Sequence, residues 1–483
     1  MLHDKDIKNI SELSTSFCST HNNSDFFSKL INVLKIGKFH SIFSSAKQKG
    51  FSGLSILRIL LVFPFIGEQT VHSFSNSHWR EFFGYGKDVY YRLKNNSKIN
   101  WRKLLFGVVK QVIALKKERL TNASNENKKI TAFIFDDTCI PKTGFQIEGG
   151  SRIWNHVIQK SIFGFQLLVM GLYDGSIFIP INFSFHREKG RKKRFGLTAK
   201  QWRKQKNKKR LKSTPGAERK KALDSSKIES AVKMIKQAVA NGIKADYILT
   251  DSWFTCWKIV KIAIDNHIKY VGMFSKVKTI FQYQGKNQTI AEIRKSKKKK
   301  IKRNKKYNLY YTRTVVSWNG TNVVLYFTRK GRNGKWKTIL STDLSADFNK
   351  TIETYQIRWT IEVFFKECKQ MLALGKSQSE DFDAQIADTT IVMIRYLFLA
   401  AQNEVEKYET LGALFESEKN ELVELRLHER IILLLMSIIE VIEILFEGAD
   451  VEELFSKIIN DKEVCEQIQR IINPQKYFLK NAA

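Results

Sequence analysis

Four carboxylates occupy positions from which they could do chemistry. Asp136 and Asp137 end the apolar run ITAFIF, Asp251 ends the run YILT, and Glu362 lies in a stretch of helical spacing. Desolvating a carboxylate at the end of a buried strand is costly unless it is paired or binds a cation, so strand-end acids are candidate metal ligands. An Asp at such a place also starts turns and caps helices, and one acid alone decides nothing.

The stretch TYQIRWTIEVFFKECKQ places Tyr355, Arg358, Glu362 and Lys369 at offsets of 0, 3, 7 and 14 residues. At about 100° per residue, all four fall within a stripe of roughly 60° on one helix. Ile361, Phe364, Phe365 and Cys368 form the adjoining apolar face. Such a helix packs by one side and presents tyrosine, arginine, carboxylate and lysine from the next. Read alone, Arg358 and Glu362 are also an ordinary i,i+4 pair, worth about a few tenths of a kcal/mol.

Positioning these groups takes alternating strands and helices. The runs ITAFIFDD, FGFQLLVMGLYDG and SIFIPINFSF predict adjoining strands of a buried sheet. A helix from about Ser225 to Asn241 follows, then the strand ADYILTD, another helix and the strand KYVGMF, which together imply a mixed α/β domain. Strand-like stretches return between about residues 276 and 340 as a β-rich insertion (TIFQYQG, YNLYYTRTVVSW, NVVLYFTR). Helical spacing marks Phe26–Leu34, Leu54–Phe63 and Trp101–Leu115 upstream, and helix resumes in segments from Asp347 to about Ile472. The expected organisation is a helical region over 1–128, an α/β domain over 129–375 and a helical region over 376–483.

Length adds a prior of about two to four domains. The 483 residues include 82 Lys plus Arg against 47 Asp plus Glu, a net charge of +35, and 43% are hydrophobic. That apolar content supports a core and excludes wholesale disorder, while the charge calls for a polyanionic partner. Residues 187–221 hold 17 basic residues against two acids, and residues 294–306 hold ten against none. Such runs are also met as plain solvated loops. From Glu404 to Glu466 the balance reverses to 17 acids against six bases. No stretch is expected to reach the roughly 20 apolar residues that cross a bilayer, since Gly53–Gly67 is interrupted by Arg58 and Pro64 and Ile431–Ile439 ends at Glu440. The N-terminus has no secretory pattern, and Cys18, Cys139, Cys256, Cys368 and Cys465 are scattered without a CxxC pair. A reducing, intracellular setting fits, and a disulfide framework or zinc site does not.

Tyr355-x2-Arg358-x3-Glu362-x6-Lys369 resembles the Tyr-Arg-Glu-Lys signature of the cut-and-paste DDE transposases of bacterial insertion sequences, with every spacing kept. Asp137 before Thr138, and Asp251 opening DSWF, are similar to that family's two aspartate marks, and the likeness spans about residues 130–375. It implies a ribonuclease H-like fold with a β-rich insertion, in which Asp137, Asp251 and Glu362 hold two Mg²⁺ ions, for which Mn²⁺ substitutes, and cut DNA. Asp137 is preferred to Asp136 because the family's aspartate precedes a threonine. The resemblance puts Tyr355, Arg358 and Lys369 on phosphates near the cleaved end. It places Trp336 where a flipped base would stack, with Trp253 and Trp318 as rivals.

The partners implied are double-stranded DNA, both terminal inverted repeats and target, and a second copy of the chain in a DNA-bound homodimer. No membrane is implied, and the setting would be the bacterial cytoplasm at the nucleoid. The flanking helical regions are assigned by position alone. The N-terminal one, with Arg80, Lys87, Arg92 and Lys94, would read the repeats, and the C-terminal one would pair two copies. A second class of function stays open, a transposase-derived DNA-binding protein that no longer cuts. Nothing in the chain resembles an RNA-recognition motif.

Overall fold

The computed structural model describes residues 34–420, apart from 48, 78–79, 81–84, 122–128 and 298–299, together with residue 463. The helix expected over Phe26–Leu34 falls outside the described residues except for Leu34, as do Cys18, Cys465 and every element expected beyond residue 420. The chain forms two compact units, one of Val33–Pro64 with Glu68–Leu411 and one of Met1–Asn32, Phe65–Gly67 and Gly412–Ala483. In the second, residues 412–420 are helical, and the ring of Phe415 packs on that of Phe65 with centroids 5.2 Å apart.

The first unit is built on a mixed sheet of twelve described strands. In chain order they are β1 (Ala132–Pro141), β2 (Ser151–Asn155), β3 (Lys160–Tyr173), β4 (Phe178–His186), β5 (Tyr247–Thr250), β6 (Lys269–Phe274), β7 (Ile280–Tyr283), β8 (Lys286–Thr289), β9 (Lys302–Asn304), β10 (Leu309–Trp318), β11 (Thr321–Lys330) and β12 (Lys337–Ser341). The helices that matter below are α1 (Gly53–Val62), α2 (Lys87–Lys94), α3 (Trp101–Thr121), α4 (Pro215–Ala222), α5 (Lys227–Ala240), α6 (Trp257–Asp265), α7 (Phe348–Gln356), α8 (Thr360–Gln370) and α9 (Phe382–Glu406).

Phe133, Ile134 and Phe135 follow one another in β1 without alternation, and all three are fully buried, as in a strand covered on both faces. β1 pairs antiparallel with β3 and parallel with β5, and β5 pairs parallel with β6. The far edge of β3 is shared by β2 along its first half and β4 along its second. On its other edge, Gly164 lets β3 lie close to the end of β1, because a Cβ there would collide with the carbonyl oxygen of Ile140. The stretch expected as an insertion continues the same sheet, since β12 pairs antiparallel with β6 and leads through β11 and β10 to β7 and β8.

α9 lies at the centre of the helical layer, with Phe382, Ile394, Leu397 and Phe398 fully buried. The segment Phe382–Glu404 is long and apolar enough to cross a bilayer, contrary to the expectation from sequence, but almost all of it is buried inside the protein. Its buried Arg395 donates to the carbonyls of Leu60, Leu61 and Leu372. Two of these belong to the last turn of α1, where helix carbonyls lack partners and the dipole favours a cation.

Much of the basic run at 187–221 is committed internally. Arg210 is buried and binds Glu148 (2.6 Å) and Asp383 (3.0 Å), Lys208 binds Asp381 (3.0 Å) and Asp383 (2.8 Å), and Lys220 reaches Glu148 (3.3 Å). Arg187 pairs with Asp224 (2.5 Å), and buried Arg219 donates to the Phe183 carbonyl. These bonds tie the run to the start of α9. Removing one partner from a buried charge network leaves the others uncompensated. Arg210→Met, which strands Glu148, Asp381 and Asp383 with too few cations, is expected to cost about 3–5 kcal/mol and lower the urea midpoint. Surface Lys192→Met should leave the midpoint nearly unchanged.

Candidate active site

The parallel pairing of β1 and β5 brings the acids expected at strand ends together. Phe135 stands opposite Thr250, the last residue of β5, so Asp136 and Asp251 come next side by side; β1 itself runs on through Asp136 and Asp137 to Pro141, held by its pairing with β3, so of the acids expected at strand ends only Asp251 ends one. One oxygen of Asp251 closes a turn, accepting from the amides of Trp253 (3.0 Å) and Phe254 (3.1 Å). The turn-starting role of such an Asp is therefore real here, and it leaves the second oxygen free of those amides. Beneath it, the hydroxyls of Thr250, Thr255 and Tyr270 form a buried hydrogen-bonded group.

Glu362 reaches this place from α8. The single helix expected to carry the Tyr355 row is broken: α7 ends at Gln356, a 3₁₀ turn spans Ile357–Trp359, and α8 starts at Thr360. The Thr360 hydroxyl donates to the carbonyl of Ile357 (2.9 Å), a side-chain bond that competes with the helical ladder. The row nonetheless faces β1. Arg358 binds Glu362 and also reaches Asp136 (3.4 Å), with the Tyr355 ring 5.9 Å from its guanidinium, and Lys369 donates to the Thr138 hydroxyl (2.5 Å).

Side chains alternate along a strand, so Asp136 and Thr138 face α8 while Asp137 faces the other way. Asp137 pairs with Lys227 (3.0 Å), the first residue of α5, and Lys227 in turn lies 4.1 Å from the ring of Trp253. Of the four acids singled out, Asp251 lies electrostatically close to both β1 acids, and Glu362 is linked to Asp136 through Arg358. Asp136, Asp137, Asp251, Lys227 and Lys369 line one cleft of about 740 Å³.

Burial dominates the electrostatics. It pushes Asp136 up to about 7, helped by the charges of Asp251 and Asp137 and opposed by the Asp137 amide and Arg358. Asp251 is raised for the same first reason, with Asp137 adding to it, while the turn amides and Arg358 hold it back. Burial lowers Lys369. Among the described residues no three acid, histidine or cysteine side chains stand close enough to hold a metal ion. The residue types do fit a hard cation, which prefers carboxylate oxygens, and the acids are at present faced by Arg358 and Lys227.

The tryptophans separate clearly. Trp318 is core, packed among Trp257, Phe274 and Phe281. Trp336 is half-buried against Arg329 (4.7 Å) and is not among the residues that line the acid cleft. Trp253, 47% exposed, does line it, as does Trp154, which the sequence reading did not weigh. Lys94, expected near a DNA-reading surface, is buried against Asp388 (2.9 Å), whereas Arg80, Lys87 and Arg92 are exposed. Lys227 and Lys142 were also missed. Lys142 is buried at the end of β1 and donates to the carbonyls of Gly375 (3.0 Å) and Ser377 (2.5 Å), and only the Ser226–Glu229 capping box gave a sequence signal near either lysine.

Residues 221–398 match the family model of the transposase DDE domain. The match supports a DDE transposase family and indicates a transposase function. It takes in Asp251, Tyr355, Arg358, Glu362 and Lys369, and it begins after β1, so Asp136 and Asp137 lie outside it. No curated protein matches the chain.

Behind Asp137, His186 at the end of β4 is buried, with its Nδ1 donating to the Ser225 carbonyl (3.0 Å) and its Nε2 against the Ser184 hydroxyl (2.6 Å). Burial pushes it down to about 4, with Lys227 lowering it further and the Ser225 carbonyl and Asp137 opposing. The folded state keeps this imidazole neutral, whereas the unfolded chain takes up a proton from about pH 6.5 downward. Stability is therefore full above that pH and falls toward pH 4, by up to about 3 kcal/mol. The difference between urea midpoints at pH 7 and pH 4.5 should shrink measurably in His186→Gln.

Proposed function

We propose that this chain is a DNA transposase that cuts at the terminal inverted repeats of its element and joins the freed end to target DNA. The carrying observation is the cleft where two parallel strands deliver Asp136, Asp137 and Asp251, faced through Arg358 by the helix bearing Glu362. The central position of β1 beside antiparallel β3 and parallel β5 supports a ribonuclease H-like domain.

The catalytic set proposed is Asp137, Asp251 and Glu362. Their oxygens suit two Mg²⁺ ions, with Mn²⁺ as a substitute, and such ions when bound supply Lewis-acid stabilisation of the attacking and leaving oxygens of phosphoryl transfer. Arg358 offers a planar fork for phosphate and Lys369 a point charge, while Tyr355 flanks them. In the proposed sequence, water first opens one strand and leaves a 3′-hydroxyl. That hydroxyl attacks the opposite strand to close a hairpin, water reopens it, and the end is joined to target DNA. Trp336 is the proposed stacking residue, and a homodimer would hold two ends. The setting proposed is the bacterial cytoplasm, at the nucleoid.

One observation favours a second assignment of the β1 ligand. Asp136, and not Asp137, shares Arg358 with Glu362.

Cleavage of a supercoiled plasmid carrying the element's repeats, with Mg²⁺, tests the reading. Glu362→Gln and Asp251→Asn should lower the cutting rate by about 10³-fold or more with DNA affinity retained. Asp136→Asn and Asp137→Asn form a pair in which the ligand loses activity to that degree and its neighbour far less. Wild-type-like cutting by Glu362→Gln would refute the proposal. Tight binding by the wild type without nicking in Mg²⁺ or Mn²⁺ would favour a catalytically silent DNA-binding protein.

A further inference from the structure

Away from the acid cleft, α3, α4 and the start of α9 meet around a small cavity of about 10 Å³, with Trp101, Arg102, Gly216, Arg219 and Asp383 in its wall. That volume suits one water-sized species and is too small for phosphate or sulfate. The wall is fixed at close range. The Gly216 amide donates to the Ser97 carbonyl (2.9 Å), and a Cβ at Gly216 would collide with Ser97 and with the Asp383 carboxylate.

Three residues of this wall each keep a buried nitrogen with no acceptor among the described residues: Nε1 of Trp101, Nε of Arg102 and Nη2 of Arg219. Buried donors without partners are rare, and charged ones are the most costly. Charge is out of balance in the same place. Buried Arg219 donates through Nη1 to the Phe183 carbonyl and rests 4.4 Å from the Phe183 ring, and neither contact supplies a counter-charge. Burial pushes its pKa well below the usual arginine range, with Arg102 adding to that and Glu218 opposing. The two acids of the wall are engaged by other cations. Glu218 binds Arg102 (3.0 Å) and Lys233 (2.7 Å), and Asp383 binds Lys208 (2.8 Å) and Arg210 (3.0 Å). The first residues of the 21-residue α3 also line the cavity, so the positive end of that helix dipole adds to the field there.

We propose that this cavity binds one monatomic anion, chloride or a halide of similar size, held by Arg219, Arg102 and Trp101. Donor chemistry and charge select the occupant. A water molecule accepts two hydrogen bonds and must also place its own hydrogens on acceptors, whereas a halide accepts from all three donors and gives Arg219 its counter-charge. The ion joins the start of α3 to α4 where the basic run at 187–221 meets α9, so its effect is on the stability of that junction.

The test compares thermal unfolding of the full chain in sodium chloride and in sodium gluconate at equal ionic strength. Chloride should raise the wild-type Tm by about 2 °C, with a dependence on concentration that saturates. Trp101→Phe, which keeps a ring beside Phe43 and loses the N–H donor, should lose most of that difference. Arg219→Met, which removes the charge that calls for the ion, should lose all of it, and Trp101→Phe carries the test if Arg219→Met does not fold. Exposed Lys192→Met should keep the full difference. Crystals soaked in sodium bromide should show an anomalous peak among the three nitrogens. Equal wild-type Tm values in the two salts, with only a water in the cavity, would overturn the site. So would a chloride effect that persists at full size in both Trp101→Phe and Arg219→Met, which would assign it to the protein surface. The site stands or falls independently of DNA cleavage.

Discussion

Negative charge held where the pairing of two buried parallel strands ends is the constraint around which this structure is arranged. Asp136 and Asp251 follow the last paired residues of β1 and β5 side by side, Asp137 stands next in line, and burial opposes ionisation of both Asp136 and Asp251. Such a group is stable only if cations approach from both faces of the strand. They do: Arg358 comes from the α8 side and Lys227 from the α5 side. The alternation of β1 thus decides which helix each acid meets, and the capping box that starts α5 at Ser226 puts Lys227 within reach of Asp137. Under the proposed function the same cations would meet DNA phosphates, so that binding DNA and freeing the carboxylates would be one exchange of partners.

The excess of basic residues divides into two populations with different physical roles. Arg210, Lys208, Arg219 and Lys220 are held by acids or carbonyls inside the protein and fasten the run at 187–221 to α9 and β4. Residues such as Lys192, Lys193, Lys200 and Lys204 stay exposed. Net charge alone could not separate them, because a buried arginine and a solvated one count equally in a sum. An estimate of DNA affinity from +35 would therefore overcount the charges available to phosphates.

What was legible in the sequence was the periodic part. The apolar runs of β1, β3 and β4, the alternation of strands and helices through β6, and the helical spacing of α1 and α3 all correspond to observed elements. β2 escaped because SRIWN is short and sits at the sheet edge, where burial alternates and no apolar run forms. The break between α7 and α8 escaped because a 3₁₀ turn changes no residue type, only which carbonyl a hydroxyl can reach. At the site, spacing gathered Tyr355, Arg358, Glu362 and Lys369, but which of two adjacent aspartates faces them depends on strand parity against a helix more than 200 residues away. Trp318 and Lys94 show the same limit from the other side, since exposure is a property of packing that their local sequence does not carry.

The stretch from β7 to β12 bears on the site although it contributes none of the acids. Because β12 returns beside β6, the chain re-enters the sheet next to the parallel strands before it turns into α7. Asp343 locks that turn, accepting from Tyr247 (2.7 Å) on β5 and from Lys269 (2.8 Å) on β6. The Tyr326 hydroxyl on β11 then donates to the Ala346 carbonyl (2.7 Å), and Tyr311 on β10 stacks flat on Phe348, with ring centroids 3.9 Å apart. One turn further, Lys306 and Tyr307 hold Glu353 (2.6 and 2.9 Å). α7 is thus held at Phe348 by β10 and at Glu353 by the turn between β9 and β10, two residues short of Tyr355. α7 so held fixes where the 3₁₀ turn with Arg358 and then α8 with Glu362 begin. The β-rich stretch is best understood as the part of the sheet that fixes the direction of α7, from which the chain passes through the 3₁₀ turn into the helix bearing Glu362.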